Sequence, residues 1–251
     1  MRDNMENTDQ EKKQDMQGKP VHGFFYHLFG ILKAAALIII FLIAASTALH
    51  QTMTVWEKGR TPPAGDLVTA DGHKMSIYVT GRGENTIVLL PGLGTAAPIL
   101  DFMPLAQALA RENRVVVVEP LGYGWSDTTK EARTVENTVE ELRSALKAEG
   151  LDGPYVLMPH SISGIDALYY ANTYPDEVCA VIGIDCTLPA MPDYFGEGEP
   201  AQVPAVLGLL NPVGIIRWSC MLNPDAYISD NSSGLYTPGN LAMQKRIAAR
   251  M

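Results

Sequence analysis

Residues 157–164 read Leu157-Met158-Pro159-His160-Ser161-Ile162-Ser163-Gly164. The apolar run Tyr155-Val156-Leu157-Met158 leads into this stretch, and Ile165 to Asn172 leaves it with helical spacing. A serine between a buried strand and a helix marks a strand-to-helix turn. Ser163, two residues on, is small enough for strand and helix to approach closely. Pro159, two residues before, fixes φ and removes an N–H, which alters the entry to the turn. A serine hydroxyl is a poor nucleophile at neutral pH and needs a base to take its proton. The five histidines are His22, His27, His50, His73 and His160, so none follows the serine. The turn is expected to send the His160 ring away from Ser161, into packing.

Working outward, the same alternation recurs. Thr86–Leu90, Arg114–Val118, Tyr155–Met158 and Cys179–Ile184 are short apolar runs of the kind that form strands buried on both faces. Ile99–Arg111, Thr134–Glu149 and Ile165–Asn172 carry apolar residues at helical spacing. Leu67-Val68-Thr69 and Met75–Val79 flank Asp71-Gly72, a hairpin signature that leaves His73 on an exposed surface. The pattern predicts an α/β fold: a mostly parallel, doubly wound sheet with an N-terminal hairpin. Sites in such sheets form at the carboxyl ends of the strands. Three Gly- or Ser-rich segments fall there: Pro91-Gly92-Leu93-Gly94, Gly122–Asp127 and the Ser161 turn.

These segments carry a family resemblance. Val88-Leu89-Leu90-Pro91-Gly92 resembles the strand-then-His-Gly segment of the α/β-hydrolase family, with Pro91 in the histidine place. Glu119–Ser126 resembles its D-x-x-G-x-G-x-S loop, with Glu for Asp, and Leu157–Gly164 resembles its G-H-S-x-G-G turn. The resemblance implies a serine hydrolase acting on an ester, amide or peptide carbonyl, with Ser161 as nucleophile. It implies an oxyanion hole from the backbone N–H groups of Leu93 and Ile162. Asp185, ending the fourth strand, matches the position of the catalytic acid in a minority of the family; otherwise it reads as a capping carboxylate. Family members bring their histidine, with two further strands, after this region, so the chain is expected to be C-terminally incomplete and weak or inactive by itself. The alternative is a non-catalytic pseudo-hydrolase that binds a small ligand or a protein partner.

The remainder divides the chain into segments. Residues 1–23 read as a disordered polar tail. Residues 24–49 hold a single charge, Lys33, over more than the ~20 residues a spanning helix needs, and read as a transmembrane signal anchor. A cleaved signal peptide ending at Ser46-Thr47-Ala48, or a buried core helix, would give a similar pattern. Arg2, Lys12, Lys13, Lys19 and Lys33 precede the uncharged run that begins at Ala34 and Lys58 and Arg60 follow it, which predicts a cytoplasmic N-terminus and an external domain. Residues 50–65 read as a linker, 66–188 as an incomplete hydrolase core and 189–251 as a partial helical cap, its last helix starting near Ala242.

The formal charge of −9 speaks against nucleic acid as a partner. Cys179, Cys186 and Cys220 form no metal-binding pattern, and the first two are expected to be buried thiols. No cofactor or metal is called for. The expected partners are a membrane and a small-molecule or peptide substrate. The apolar strand around Val181–Ile184, left at the sheet edge, is expected to pair with a second copy or with a complementing C-terminal fragment.

Overall fold

The computed structural model describes residues 21–196 and 205–250. The chain separates into two units, Met1–Leu49 and His50–Met251. In the first, most of the expected polar tail (residues 1–20) lies outside the described residues. Helix α1 (Val21–Lys58) begins there, and it is long and apolar enough to cross a membrane. The helix runs on into the second unit to Lys58, so the expected linker is helical over most of its length. The reason lies in tertiary bonding. Thr54 and Glu57, which read as loop residues, are held by Arg217.

The second unit is built on a six-stranded sheet of β1 (Asp66–Ala70), β2 (His73–Thr80), β3 (Thr86–Leu90), β4 (Arg114–Val118), β5 (Tyr155–Pro159) and β6 (Val178–Val181). Their spatial order is β1-β2-β4-β3-β5-β6. The hairpin strands β1 and β2 are antiparallel, and β2 pairs antiparallel with β4. The β4, β3, β5 and β6 neighbours are all parallel. Asp71 and Gly72 turn the hairpin with positive φ, 47° and 82°. His73 opens β2 half-buried rather than exposed.

Helix α2 (Pro98–Leu109) covers one face of the sheet, and α3 (Val135–Ala148) and α4 (Ser163–Thr173) cover the other. The strands sort their side chains by parity, as a pleat demands. Val88, Leu90, Val116, Val118 and Leu157 join Val139, Leu142, Leu146 and Tyr170 in one core layer. Ile87, Leu89, Val115, Val117 and Met158 join Ile99, Phe102 and Ala106 in the other. Each such aliphatic side chain contributes about 1.5–3 kcal/mol by leaving water. Thr134 caps α3, its hydroxyl accepting the Asn137 N–H at 3.3 Å.

The last strand departs from expectation. β6 ends at Val181, and Val181 and Ile182 are exposed rather than buried. Cys179 is exposed and Cys186 half-buried, contrary to the buried-thiol reading, whereas Cys220 is buried. The cause is position: among the described residues β6 pairs with β5 alone and lies at the margin of the sheet.

The turn into β6 is pinned to α3. Arg143 donates to both carboxylate oxygens of Glu177, its Nη2 at 2.8 Å, and Tyr170 donates to Glu177 at 2.8 Å. The Arg143 hydrogen bonds, helped by Tyr170, pull the Glu177 carboxyl down to about 2. A depressed carboxylate contributes stability above its ordinary range and loses it as pH falls through the folded value. Wild-type thermal midpoints should therefore drop between about pH 5 and about pH 2, and Glu177→Gln should start lower at neutral pH and show a shallower drop.

Beyond β6 come short helical pieces: α5 (Met191–Phe195), 3-10 turns at Ala205–Val213 and Pro224–Tyr227, α6 (Ile215–Leu222) and α7 (Pro238–Ala248). α7 starts earlier than Ala242 because Thr237 caps it and Pro238 occupies its first turn.

Candidate active site

β3 and β5 lie side by side, and their carboxyl ends bring two turns together. β5 hands over to α4 at Ser161, whose φ of 53° places a non-glycine residue in the left-handed region. Rungs beyond the strands hold it there. The His160 N–H donates to Leu90 O at 2.9 Å, the Ser161 N–H to Ile184 O at 3.2 Å and the Thr187 N–H to Ser161 O at 2.8 Å. The Ser163 hydroxyl donates to Pro91 O and ties the helix start to the β3 turn.

Gly92 sits where the two turns meet. A Cβ there would lie 2.8 Å from His160 Nδ1 and 3.2 Å from Ser161 Cβ, so only a glycine lets the β3 turn come this close. His160 thus packs across Gly92, in line with its expected packing role. Among the described residues, Ser161 makes no side-chain hydrogen bond to any imidazole. The backbone N–H groups of Leu93 and Ile162 likewise donate no hydrogen bond within the described residues. The Leu93 side chain is 80 % exposed. Asp185 follows the Ile184–His160 bridge, also in the left-handed region, with φ 46°. The structure therefore gathers Ser161, Ile162, Leu93 and Asp185 around the ends of β3, β5 and β6.

A cavity of about 470 Å³ opens beside the β3 turn, lined by Leu93, Ala97, Asp101, Ile216, Tyr227 and Gln244 among others. The Asp101 carboxylate accepts the Ser229 hydroxyl, and the Tyr236 hydroxyl donates to Asp101 O at 2.7 Å. Cys186 Sγ donates to Pro159 O at 3.0 Å, and burial raises its thiol pKa, which keeps it protonated. Among the described residues, no group of three His, Cys, Asp or Glu side chains is placed to hold a metal.

Two carboxyls with raised pKa, one of them fully buried, went unassigned in the sequence. Glu119 directly follows β4, has no solvent exposure, and accepts the Trp125 N–H at 2.8 Å and the Ile99 N–H at 3.4 Å. Burial pushes its carboxyl up to about 7, against the lowering effect of those N–H groups. Gly124, with φ 50°, passes so close that a Cβ would fall 2.1 Å from the Glu119 carboxylate. Glu119 thereby fixes the 122–126 loop and the start of α2, and the Gly124 N–H reaches Ala96 O at 3.0 Å. The available signal was the spacing of Gly122 and Gly124 behind an acid at a strand end. Asp166, one turn into α4, is pushed up to about 6 by burial. It faces a cavity of about 20 Å³ with Thr138, Glu141 and Ser163, room for a single water.

The family model for the alpha/beta hydrolase fold matches residues 85–211 of this chain. The chain belongs to the α/β-hydrolase family. That segment runs from the start of β3 past β6 and includes the Ser161 turn. Uncharacterized protein YbdG of Bacillus subtilis (strain 168) is 34 % identical over 220 residues, 85 % of this chain and 61 % of YbdG. The chain therefore spans less than two thirds of that relative's length. A 2-hydroxy-6-oxo-6-(2'-aminophenyl)hexa-2,4-dienoic acid hydrolase of Metapseudomonas resinovorans is 22 % identical over 134 residues, covering 53 % of this chain and 46 % of its own. The crystal structure of a membrane phospholipase A, a bacterial virulence factor, matches with TM-score 0.52 and 19 % identity, over 92 % of this chain and 71 % of that one. At that identity the likeness speaks to the fold.

Proposed function

We propose that this α/β hydrolase is a membrane-anchored serine hydrolase in which Ser161 attacks the carbonyl carbon of an ester, amide or peptide. The observation that carries this reading is the Ser161 backbone: a left-handed residue on the strand-to-helix turn, beside two N–H groups that donate to nothing within the described residues. In the proposed step Ser161 Oγ bonds to the carbonyl carbon while its proton passes to a base. The carbonyl π electrons move onto oxygen, where the Leu93 and Ile162 N–H groups would receive them; one such donor is worth about 3 kcal/mol. Collapse expels the alcohol or amine with the proton, and water then releases the acyl group by the reverse sequence. Among the described residues no imidazole bonds to Ser161, and Asp185 is proposed as the acid that orients the base. The membrane part rests on the length and apolar character of α1. Its flanking charges favour a cytoplasmic N-terminus and an external hydrolase unit.

The test uses the full chain in membranes with a fluorophosphonate probe, with added imidazole as a substitute base. Labelling that imidazole accelerates and Ser161→Ala abolishes is the expected result. Label that survives Ser161→Ala, or none with imidazole present, overturns the nucleophile assignment and favours the non-catalytic, ligand-binding alternative. Carbonate washing checks the anchor: the protein should stay in the membrane pellet.

A further inference from the structure

We propose that the exposed face of α6 is a lipid-docking surface that rests in the headgroup–acyl boundary of a zwitterionic phospholipid bilayer. The inference rests on the reading of α1 as an anchor and adds a second membrane contact, on the cap.

α6 is two-sided. Ile215, Trp218, Met221 and Leu222 are 43, 40, 67 and 88 % exposed. At 100° per residue they fill an arc of about 120°, so four large apolar side chains share one face turned to solvent. A helix in a water-soluble cap normally turns such a face inward. Here the inward face holds Arg217 and Cys220 instead.

Arg217 fixes the orientation. Its Nη1 and Nη2 donate to the Glu57 carboxylate at 2.8 and 2.9 Å, Nη2 also reaches Thr54 Oγ1 at 3.2 Å, and Nε donates to His50 Nδ1 at 3.2 Å. A planar guanidinium held at four acceptor atoms leaves α6 little freedom to roll. The apolar arc is therefore presented outward by the clamp.

The segment that α6 grips supplies the argument for the occupant. His50–Lys58 are the last turns of α1, and Trp56 follows the apolar stretch ending at Leu49 by less than two helical turns. Val55 and Trp56 are exposed on this segment, and the Arg60 guanidinium lies over the Trp56 ring at 4.2 Å. Tryptophan beside arginine or lysine suits the membrane interface, where a ring has one apolar and one wet end and a cation can snorkel to the headgroups. A cap helix clamped to that segment, with Trp218 and three aliphatic or thioether side chains outward, has the composition of an interfacial helix. The formal charge of −9 disfavours an anionic surface and selects a zwitterionic one.

The full chain is reconstituted in phosphatidylcholine vesicles. Trp56→Phe and Trp125→Phe leave Trp218 as the emitter, because the chain has three tryptophans. Circular dichroism confirms that the double variant folds. Lipids brominated high on the acyl chain should lower Trp218 emission about twofold, and aqueous iodide should have little effect. Adding Leu222→Glu and Met221→Glu should restore iodide access. Free iodide quenching with no bromolipid effect overturns the proposal. Shielding from both quenchers also overturns it, since a second copy or another polypeptide then covers the face. Carbonate extraction reports separately on α1: protein released from the pellet, with Trp218 still quenched by bromolipid in unwashed vesicles, overturns the anchor and retains the docking face.

Discussion

Arg217→Met lowers the stability of the His50–Met251 unit by about 3–5 kcal/mol, because it leaves the Glu57 carboxylate buried without its partner. The Arg217 and Glu57 side chains are 3 and 10 % exposed, so water cannot replace the lost bonds. His50 adds to the loss. Its Nδ1 accepts from Arg217 Nε at 3.2 Å. Without Arg217 that nitrogen also loses its donor. Urea midpoints followed by tryptophan emission, in detergent micelles, measure the effect. The double change Glu57→Leu with Arg217→Met should recover most of it, since an apolar pair of similar size is often as stable as a buried ion pair. Equal destabilisation in the double variant would show that packing, not the orphaned charge, is responsible.

Glu119 produces a pH dependence of similar size and opposite sense to Glu177. Its folded pKa of about 7 lies above the ordinary carboxyl value near 4.5. The unfolded chain thus releases this proton first as pH rises. The stabilising contribution is complete below the ordinary carboxyl range and is lost as pH climbs to about 7. The difference corresponds to about 3 kcal/mol. Glu119→Gln keeps an acceptor for the Trp125 N–H and has no proton to lose. Urea midpoints at several pH values between about 4 and about 8 should fall for the wild type and stay level for the variant. Parallel slopes would assign the pH dependence to other groups.

Much of this was readable in the chain. The unbroken runs at Ile87–Leu90 and Val115–Val118 specify strands buried on both faces, and the pleat alone divides them between the two layers. The spacing around Ser161 locates the turn. What escaped the sequence depends on partners far along the chain. Thr54 and Glu57 look like the polar exit from an apolar span, and nothing local announces that Arg217, 160 residues beyond Glu57, keeps them helical. Glu119 looks like a strand-end carboxylate open to water until Gly124 closes over it. Val181 and Ile182 have the composition of core residues, but burial depends on what lies alongside, and among the described residues nothing does on the outer side.

The rungs around Ser161 have a further consequence. Its backbone leans on Ile184 O and Thr187 N–H, on either side of a second left-handed residue, Asp185. Two contorted residues thus brace each other across the mouth of the sheet. A change confined to the 184–187 bend would let Ser161 relax toward ordinary helical dihedrals and withdraw its hydroxyl.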